Sequence, residues 1–315
     1  MSASPAVSVV IPTFHRPELV LRAVRSALDQ TMADLEVITV VDGRDAATCE
    51  TLATVADRRV RVHVPARHLG NADARNAGVA LALGPWVAFL DDDDIWMPDK
   101  LERQLAAATR ATAAQPIVVC HMLARTERGD LKWPRRLPRQ GEDWSEYFFC
   151  RRTPFTGEGM VTMSTIFTTR ALLTDVPFSS GLAHLVDPDW LLRAVRRPGV
   201  EMMFVAGAAP LIVWHIEHDR SRITNRREWT AAYDWGRRNR GLFSSRGYAA
   251  FVLHVVGSNA AIQGDSRAFL TLMREAYQNG RPALVDVVSH VANFMLPTPV
   301  QRRVALWYAR ATARG

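Results

Sequence analysis

Three short β-branched runs, 7–11, 35–41 and 60–64, are each followed by apolar residues at helical spacing, and this alternation leaves few folds open. After Pro17 the apolar positions are Leu19, Ala23, Val24, Ala27 and Leu28, and further helices are expected over 46–56 and 72–83. Strands alternating with helices of this length require a parallel sheet with right-handed crossovers. The carboxyl ends of the strands then share one edge, which is where open α/β sheets bind ligands. Thr13, His15 and Arg16 fall on that edge after the first strand, Asp42 after the second, and Arg67 and His68 after the third.

A fourth run, 86–90, is bounded by Gly84-Pro85 and ends in Asp91, Asp92, Asp93 and Asp94. It reads as a buried central strand with acids at its tip. Adjacent carboxylates raise one another's pKa, and a divalent cation is the simplest relief. Hard oxygen ligands suit Mg2+ or Mn2+, which commonly take one or two carboxylates together with water and substrate phosphates. The competing reading is a solvated acidic turn before the helix that follows Pro98; the position at the end of an apolar strand favours a ligand site. In the stretch from Gly70 to Gly78, Arg75 and Asn76 lie in the first turns of a helix. There they face either a phosphate, assisted by the helix dipole, or solvent in a surface salt bridge. The glycine spacing matches neither a dinucleotide fingerprint nor a P-loop.

At 315 residues, 48% hydrophobic and 23% charged, the chain suits one large globular domain or one domain with an appendix. The net charge of +7 is carried almost wholly by arginine, with Lys100 and Lys132 the only lysines, and it favours phosphate-bearing or anionic partners. Scattered arginines without zinc-finger spacing or aromatic interleaving argue against nucleic acid. Cys49, Cys120 and Cys150 are too few and too far apart for a disulfide framework or a zinc site, which fits a reducing cytoplasm. No basic leader precedes the first strand and no apolar stretch reaches the length of a membrane span, so a soluble or peripheral protein is expected.

The run Val9-Val10-Ile11-Pro12-Thr13-Phe14-His15-Arg16, the stretch Gly70-Asn71 through Arg75-Asn76-Ala77-Gly78, and Phe89-Leu90-Asp91-Asp92-Asp93-Asp94-Ile95-Trp96 with Pro98 and Lys100-Leu101 together resemble the inverting family-two glycosyltransferases. His15 departs from the usual Asn, and Asp42-Gly43 carries one acid where two are common. Further on, Val186-Asp187-Pro188-Asp189 resembles the helix start that holds the family's catalytic base, and 211–221 resembles its closing segment. The resemblance implies a GT-A fold: a Rossmann-like, mostly parallel sheet flanked by helices, with a catalytic domain over 1–224 and a helical C-terminal extension over 225–315. It further implies a nucleoside diphosphate sugar donor, foremost a UDP-sugar, and a divalent metal, Mn2+ or Mg2+. In this reading Asp187 is the base, Asp93 and His215 (or His218) hold metal, and Pro12, Thr13, Arg16, Asp42, Arg75, Asp91 and Asp92 bind the nucleotide. The acceptor would be a carbohydrate, a lipid-linked sugar or a small molecule, in cell-surface polysaccharide, glycolipid or natural-product synthesis.

Between these motifs a helix is expected over 99–114, strands at 117–120 and 164–168, and a basic, Pro-rich loop or hairpin over 125–140. Helices then follow over 229–240, 248–262, 266–278, 282–295 and 298–312. The last carries Val300, Val304, Trp307 and Ala311 on one face, which suits core packing first and peripheral contact with a membrane second. Two rival functions remain open. An apolar strand followed by Asp-x-Asp also occurs in haloacid-dehalogenase-like phosphatases, and a non-catalytic nucleotide-binding protein would share the sheet edge.

Overall fold

The computed structural model describes residues 4–126, 129–154, 157–182, 184–207, 209–215, 228–296, 300 and 303. The β-branched runs form strands β1 (Val7–Thr13) and β2 (Leu35–Val41), which pair in parallel from Val7 opposite Leu35 to Thr13 opposite Val41. Both are apolar nearly throughout because helices cover both faces of such a sheet. β3 (Val60–His63) extends the sheet beyond β2, and β4 (Trp86–Phe89) lies on the other side of β1. The order β3-β2-β1-β4 therefore changes direction between β1 and β4. That switch point opens a crevice at the carboxyl ends of the two strands.

The crossover helices are α1 (Pro17–Leu28), α2 (Ala46–Ala53) and α3 (Asn71–Leu81). α1 opens on Pro17, whose missing N–H costs nothing in a first turn; α2 is capped by the Asp45 carboxylate, which accepts from the Thr48 N–H at 3.1 Å. α3 lies unusually close to β1. A Cβ on Gly78 would sit 2.3 Å from Val10 Cγ1, so only glycine lets the helix approach that strand. Gly78→Ala should overpack this contact and lower stability by about 1–3 kcal/mol. A denaturation midpoint equal to wild type would show that the helix can retreat without penalty.

After the acids come β5 (Asp94–Trp96), α4 (Lys100–Thr109) and β6 (Gln115–Val119), then a hairpin of β7 (Met122–Thr126) and β8 (Gly129–Trp133). The basic stretch expected over 125–140 thus begins inside a hairpin that starts at Met122 and leaves the sheet only at Pro134. α5 (Trp144–Phe149) follows. The strand expected at 164–168 is shorter: a 3₁₀ turn takes Met163–Thr165, and β9 (Phe167–Thr169) runs antiparallel between β4 and β6. α6 (Arg170–Asp175), α7 (Val186–Ala194), β10 (Val200–Phe204) and β11 (Ile212–His215) complete this part. The result is a seven-stranded sheet in the order β10-β6-β9-β4-β1-β2-β3 and a four-stranded sheet in the order β5-β11-β7-β8.

By its internal contacts the chain divides into two units, Met1–Trp133 with Val161–Asp219, and Pro134–Met160 with Arg220–Gly315. The segment that carries α5 therefore groups with the C-terminal helices, although in sequence it lies far upstream of them. In this second unit α8 (Trp229–Arg238), α9 (Ser245–Ala250), α10 (Gly257–Ile262), α11 (Ala268–Asn279) and α12 (Leu284–Met295) surround an aromatic core. Phe251 stands at its centre, with ring centroids 5.1 Å from Phe149 and 5.3 Å from both Trp235 and Phe243. A π-helical turn over Phe251–Val256 joins α9 to α10. No helix among the described residues is long and apolar enough to cross a membrane. The three cysteines are free. The helix expected over 298–312, including Trp307, lies outside the described residues apart from Val300 and Arg303, as does His218.

Candidate active site

The switch point gathers Thr13 and Arg16 from the end of β1, the acids from the end of β4, Arg75 from α3 and Asp187 from α7. The four acids form a turn, closed by the Asp94 N–H donating to the Asp91 carbonyl at 3.1 Å, in which buried and exposed side chains alternate. Asp92 and Asp94 are buried, whereas Asp91 and Asp93 keep part of their surface exposed. Asp92 is held by the chain itself: Thr13 Oγ1 donates to one oxygen at 2.8 Å and Arg16 Nη1 to the other at 2.9 Å. Burial pushes the Asp92 carboxyl up to about 6, against the pull of Arg16 and with a push from Asp93. Asp94 accepts from the Ser164 hydroxyl at 2.5 Å, and the same oxygen of Ser164 accepts from the Asp91 N–H at 3.0 Å. Asp91 and Asp93 are left as the pair with surface to offer a ligand.

Arg75 is 2% exposed and donates to Asp91 and to the Asn71 side-chain oxygen. Its position in the first turns of α3 is the one the sequence predicts, but its partner is a buried pairing with the acid loop rather than a surface bridge. The Arg75 Nε has no hydrogen-bond partner. A buried guanidinium N–H without an acceptor is costly, so the group is poised for a further acceptor. Asp187, in the first turn of α7, accepts from the Met163 N–H at 3.1 Å. Burial raises its pKa to about 6; Arg75 pulls it down and Asp91 pushes it up. The neighbouring Asp189 is committed elsewhere, accepting from Ser179 Oγ and from Arg193 Nη2, each at 2.7 Å. Of the two acids in this turn, Asp187 is therefore the one that shares the electrostatic neighbourhood of Asp91 and Arg75.

Asp42 follows β2 as expected and is 4% exposed. Its two oxygens accept from the Leu69 N–H at 2.6 Å and the Gly70 N–H at 2.8 Å, and His68 Nδ1 lies 3.0 Å away. It braces the loop that leads into α3. Pro12 sits within β1 opposite Val40. His215 ends β11, whose antiparallel ladder with β5 closes on the pair Trp214 and Asp94. Among the described residues no three His, Cys, Asp or Glu side chains form a ready-made metal cage. The donor set fits only an ion that takes one or two carboxylates here and its remaining ligands from water and phosphate, as Mg2+ and Mn2+ do.

Two contributions escape sequence reasoning. Met163 and Ser164 hold Asp187, Asp91 and Asp94 from a turn about 70 residues after the acids and 24 before Asp187, and no local pattern marks such a role. Phe14 is 47% exposed, with its ring 4.7 Å from that of His68 and 4.2 Å from that of His15. An exposed phenyl at a strand tip is a visible signal that the pattern of acids overshadows. His15 itself has φ +53°. Histidine shares with asparagine an unusual tolerance of that left-handed region, which accounts physically for one replacing the other in the turn after β1.

A doubly wound sheet whose central strand delivers carboxylates to the switch point, beside an arginine and a half-buried acid, has the architecture of the GT-A glycosyltransferases. The chain belongs to glycosyl transferase family 2, whose sequence model matches residues 8–173. It is 38% identical over 109 residues to the succinoglycan biosynthesis protein ExoO of Rhizobium meliloti, an alignment covering 35% of this chain and 31% of ExoO. It is 32% identical over 100 residues to WfgD of Escherichia coli, named as a UDP-Glc:α-D-GlcNAc-diphosphoundecaprenol β-1,3-glucosyltransferase, covering 32% of this chain and 40% of WfgD. The matched stretches thus span well under half the length of these relatives. The fold is similar to that of Staphylococcus aureus TarS 1–349, solved in complex with UDP-GlcNAc, with a TM-score of 0.53 at 16% identity over 97% of this chain and 87% of that one.

Proposed function

We propose that the protein is an inverting glycosyltransferase that moves a hexosyl group from a nucleoside diphosphate sugar to an acceptor hydroxyl. The observation that carries this reading is the meeting of Asp187, Arg75 and the Asp91–Asp93 pair at one switch point. The acceptor oxygen attacks the anomeric carbon from the face opposite the diphosphate, and its proton passes to the Asp187 carboxylate. The bond from that carbon to the diphosphate oxygen breaks, and its electron pair leaves with the nucleotide. A carboxylate with a pKa of about 6 is ionised at neutral pH and still basic enough to take that proton. Arg75, with an N–H unsatisfied in the free protein, turns towards the charge that develops on the leaving diphosphate.

Asp93 and Asp91 would hold a divalent cation, with His215 at the end of β11 as the candidate for a further ligand. Bound there, the ion would supply positive charge to offset the diphosphate that leaves. Asp92 keeps Arg16 and Thr13 in place beneath the nucleotide. Phe14 and His68 offer ring faces to its base, and the Asp42 brace keeps the 69–70 backbone in position under it. A UDP-sugar is the preferred donor, supported by WfgD, whose name gives UDP-Glc as donor. Polysaccharide or glycolipid synthesis is the corresponding setting, supported by the names of ExoO and WfgD. The phosphatase alternative expects its acids on the first strand, whereas here three βα units precede them.

The reading is tested by incubating the protein with Mn2+ and a panel of UDP-, GDP- and dTDP-sugars and following nucleotide release. Release of UDP from one UDP-sugar, dependent on metal, is expected. Liberation of inorganic phosphate from phosphomonoesters, with no nucleotide diphosphate formed, would replace the transferase by a phosphatase. Inertness towards every donor would leave a nucleotide-binding protein.

A further inference from the structure

The second unit holds a concentration of cationic groups that the transfer reaction does not use. Arg136, Arg139, Arg151 and Arg152, all from Pro134–Met160, meet Arg246 of α9 around a cavity of about 200 Å³ that Glu142 and Glu146 also line. The carboxylates of this neighbourhood are already engaged. Glu142 receives two hydrogen bonds from Arg136, each of 2.6 Å, and Glu158 lies 3.1 Å from Arg136 Nε and 3.3 Å from Arg152 Nε. Asp286 is paired with Arg246 and lies 2.8 Å from His254 Nε2, while Glu146 accepts from Ser244 Oγ at 2.7 Å.

Arg151 stands apart: among the described residues its guanidinium has neither a hydrogen bond nor an ion pair. Burial lowers its pKa to about 10, against an upward pull from Asp286. Cys150, pushed up to about 12 chiefly by burial, stays a neutral thiol and contributes no charge. A half-buried guanidinium with no hydrogen-bonded or ion-paired partner favours the arrival of an anion. Guanidinium forks around a small space match the geometry of a tetrahedral oxyanion.

We infer that this cavity binds a phosphate or diphosphate group, with Arg151 as its principal ligand and Arg139 and Arg152 completing the shell. The site is separate from the acid loop and stands whether or not the donor reading does. The group can belong to a soluble phosphate compound or to the head of a phospholipid or lipid-linked diphosphate; the cavity recognises the chemistry they share.

The test uses the full chain in EDTA, so that no metal assists anion binding at the acid loop. Sodium pyrophosphate, compared with sodium chloride at equal ionic strength, should raise the melting temperature of the wild type by a few degrees. In Arg151→Gln most of that rise should vanish, while the melting temperature without pyrophosphate stays close to the wild-type value, because this guanidinium makes no hydrogen bond or ion pair that the substitution would break. The exposed Arg139→Gln, which poses no folding risk, should show a smaller rise than wild type. In parallel, flotation with vesicles of phosphatidylglycerol and phosphatidylcholine separates the sources. Pyrophosphate stabilisation without flotation assigns a soluble phosphate, and flotation abolished by Arg151→Gln assigns a lipid head group. Equal pyrophosphate shifts in wild type and both variants, together with flotation that is absent or independent of Arg151, would overturn the proposal.

Discussion

Asp187→Asn is expected to lower the rate of sugar transfer by about 10² to 10⁴-fold with little change in donor affinity. Asparagine keeps the shape of the side chain, and its carbonyl oxygen can still accept from the Met163 N–H that now holds Asp187. Only proton acceptance is lost. The pH profile supplies a second readout. With the Asp187 pKa at about 6, the base is ionised above that value, so transfer by the wild type should fall as pH drops through 6. The variant should lack this limb. Folding raises this pKa, so the folded chain binds the proton more tightly than the unfolded one. The group's stabilising contribution is full below its unfolded pKa of about 3.9 and is lost as pH rises through 6. At pH 7.5 the Asn variant should accordingly melt no lower than wild type. Near-wild-type transfer would hand the role of base to Asp189 or another acid.

Asp93→Ala is expected to abolish metal-dependent turnover while the fold persists. Asp93 is one of the two acids with exposed surface, and Arg16, 3.6 Å from it, has a closer partner in Asp92, at 2.9 Å. Removing Asp93 also relieves Asp92 of a neighbour that raises its pKa. Circular dichroism and melting temperature should match the wild type, and nucleotide release in Mn2+ should fall to the level seen in EDTA. Wild-type turnover that persists in EDTA would remove the metal from the mechanism and leave Asp93 without this role.

The sheet and its edge were legible because the signals are local. β-branched runs, the Pro17 helix start and the acids after β4 each announce themselves within a dozen residues, and Thr13, Arg16, Arg75, Asp91 and Asp187 do converge. Less legible was what each side chain does on arrival. Sequence gives the order of Asp91 to Asp94, but the alternation of buried and exposed acids depends on Thr13, Arg16 and Ser164, which approach from other elements. Asp42 was readable as an edge residue and not as a loop brace, since its partners are the backbone N–H groups of Leu69 and Gly70. The association of 134–160 with helices about 100 residues downstream left no mark either: α5 is a short helix whose aromatic residues could pack against anything apolar.

The position of β9 also governs the order in which the molecule can be assembled. β4 and β6 are separated in sequence by about 25 residues but are not neighbours; the gap between them is filled by Phe167–Thr169, with Val87 opposite Thr168 on one side and Ile117 opposite Thr168 on the other. A nascent chain that has emerged only as far as β6 can pair β1 to β4, yet must hold the outer edge of β4 open until some fifty further residues have been synthesised. During that interval an apolar, unpaired strand edge next to the acid loop is exposed to other chains. Closure of so distant a pairing is a slow step. Vectorial synthesis therefore creates a window of aggregation risk for this chain that ends only when β9 inserts.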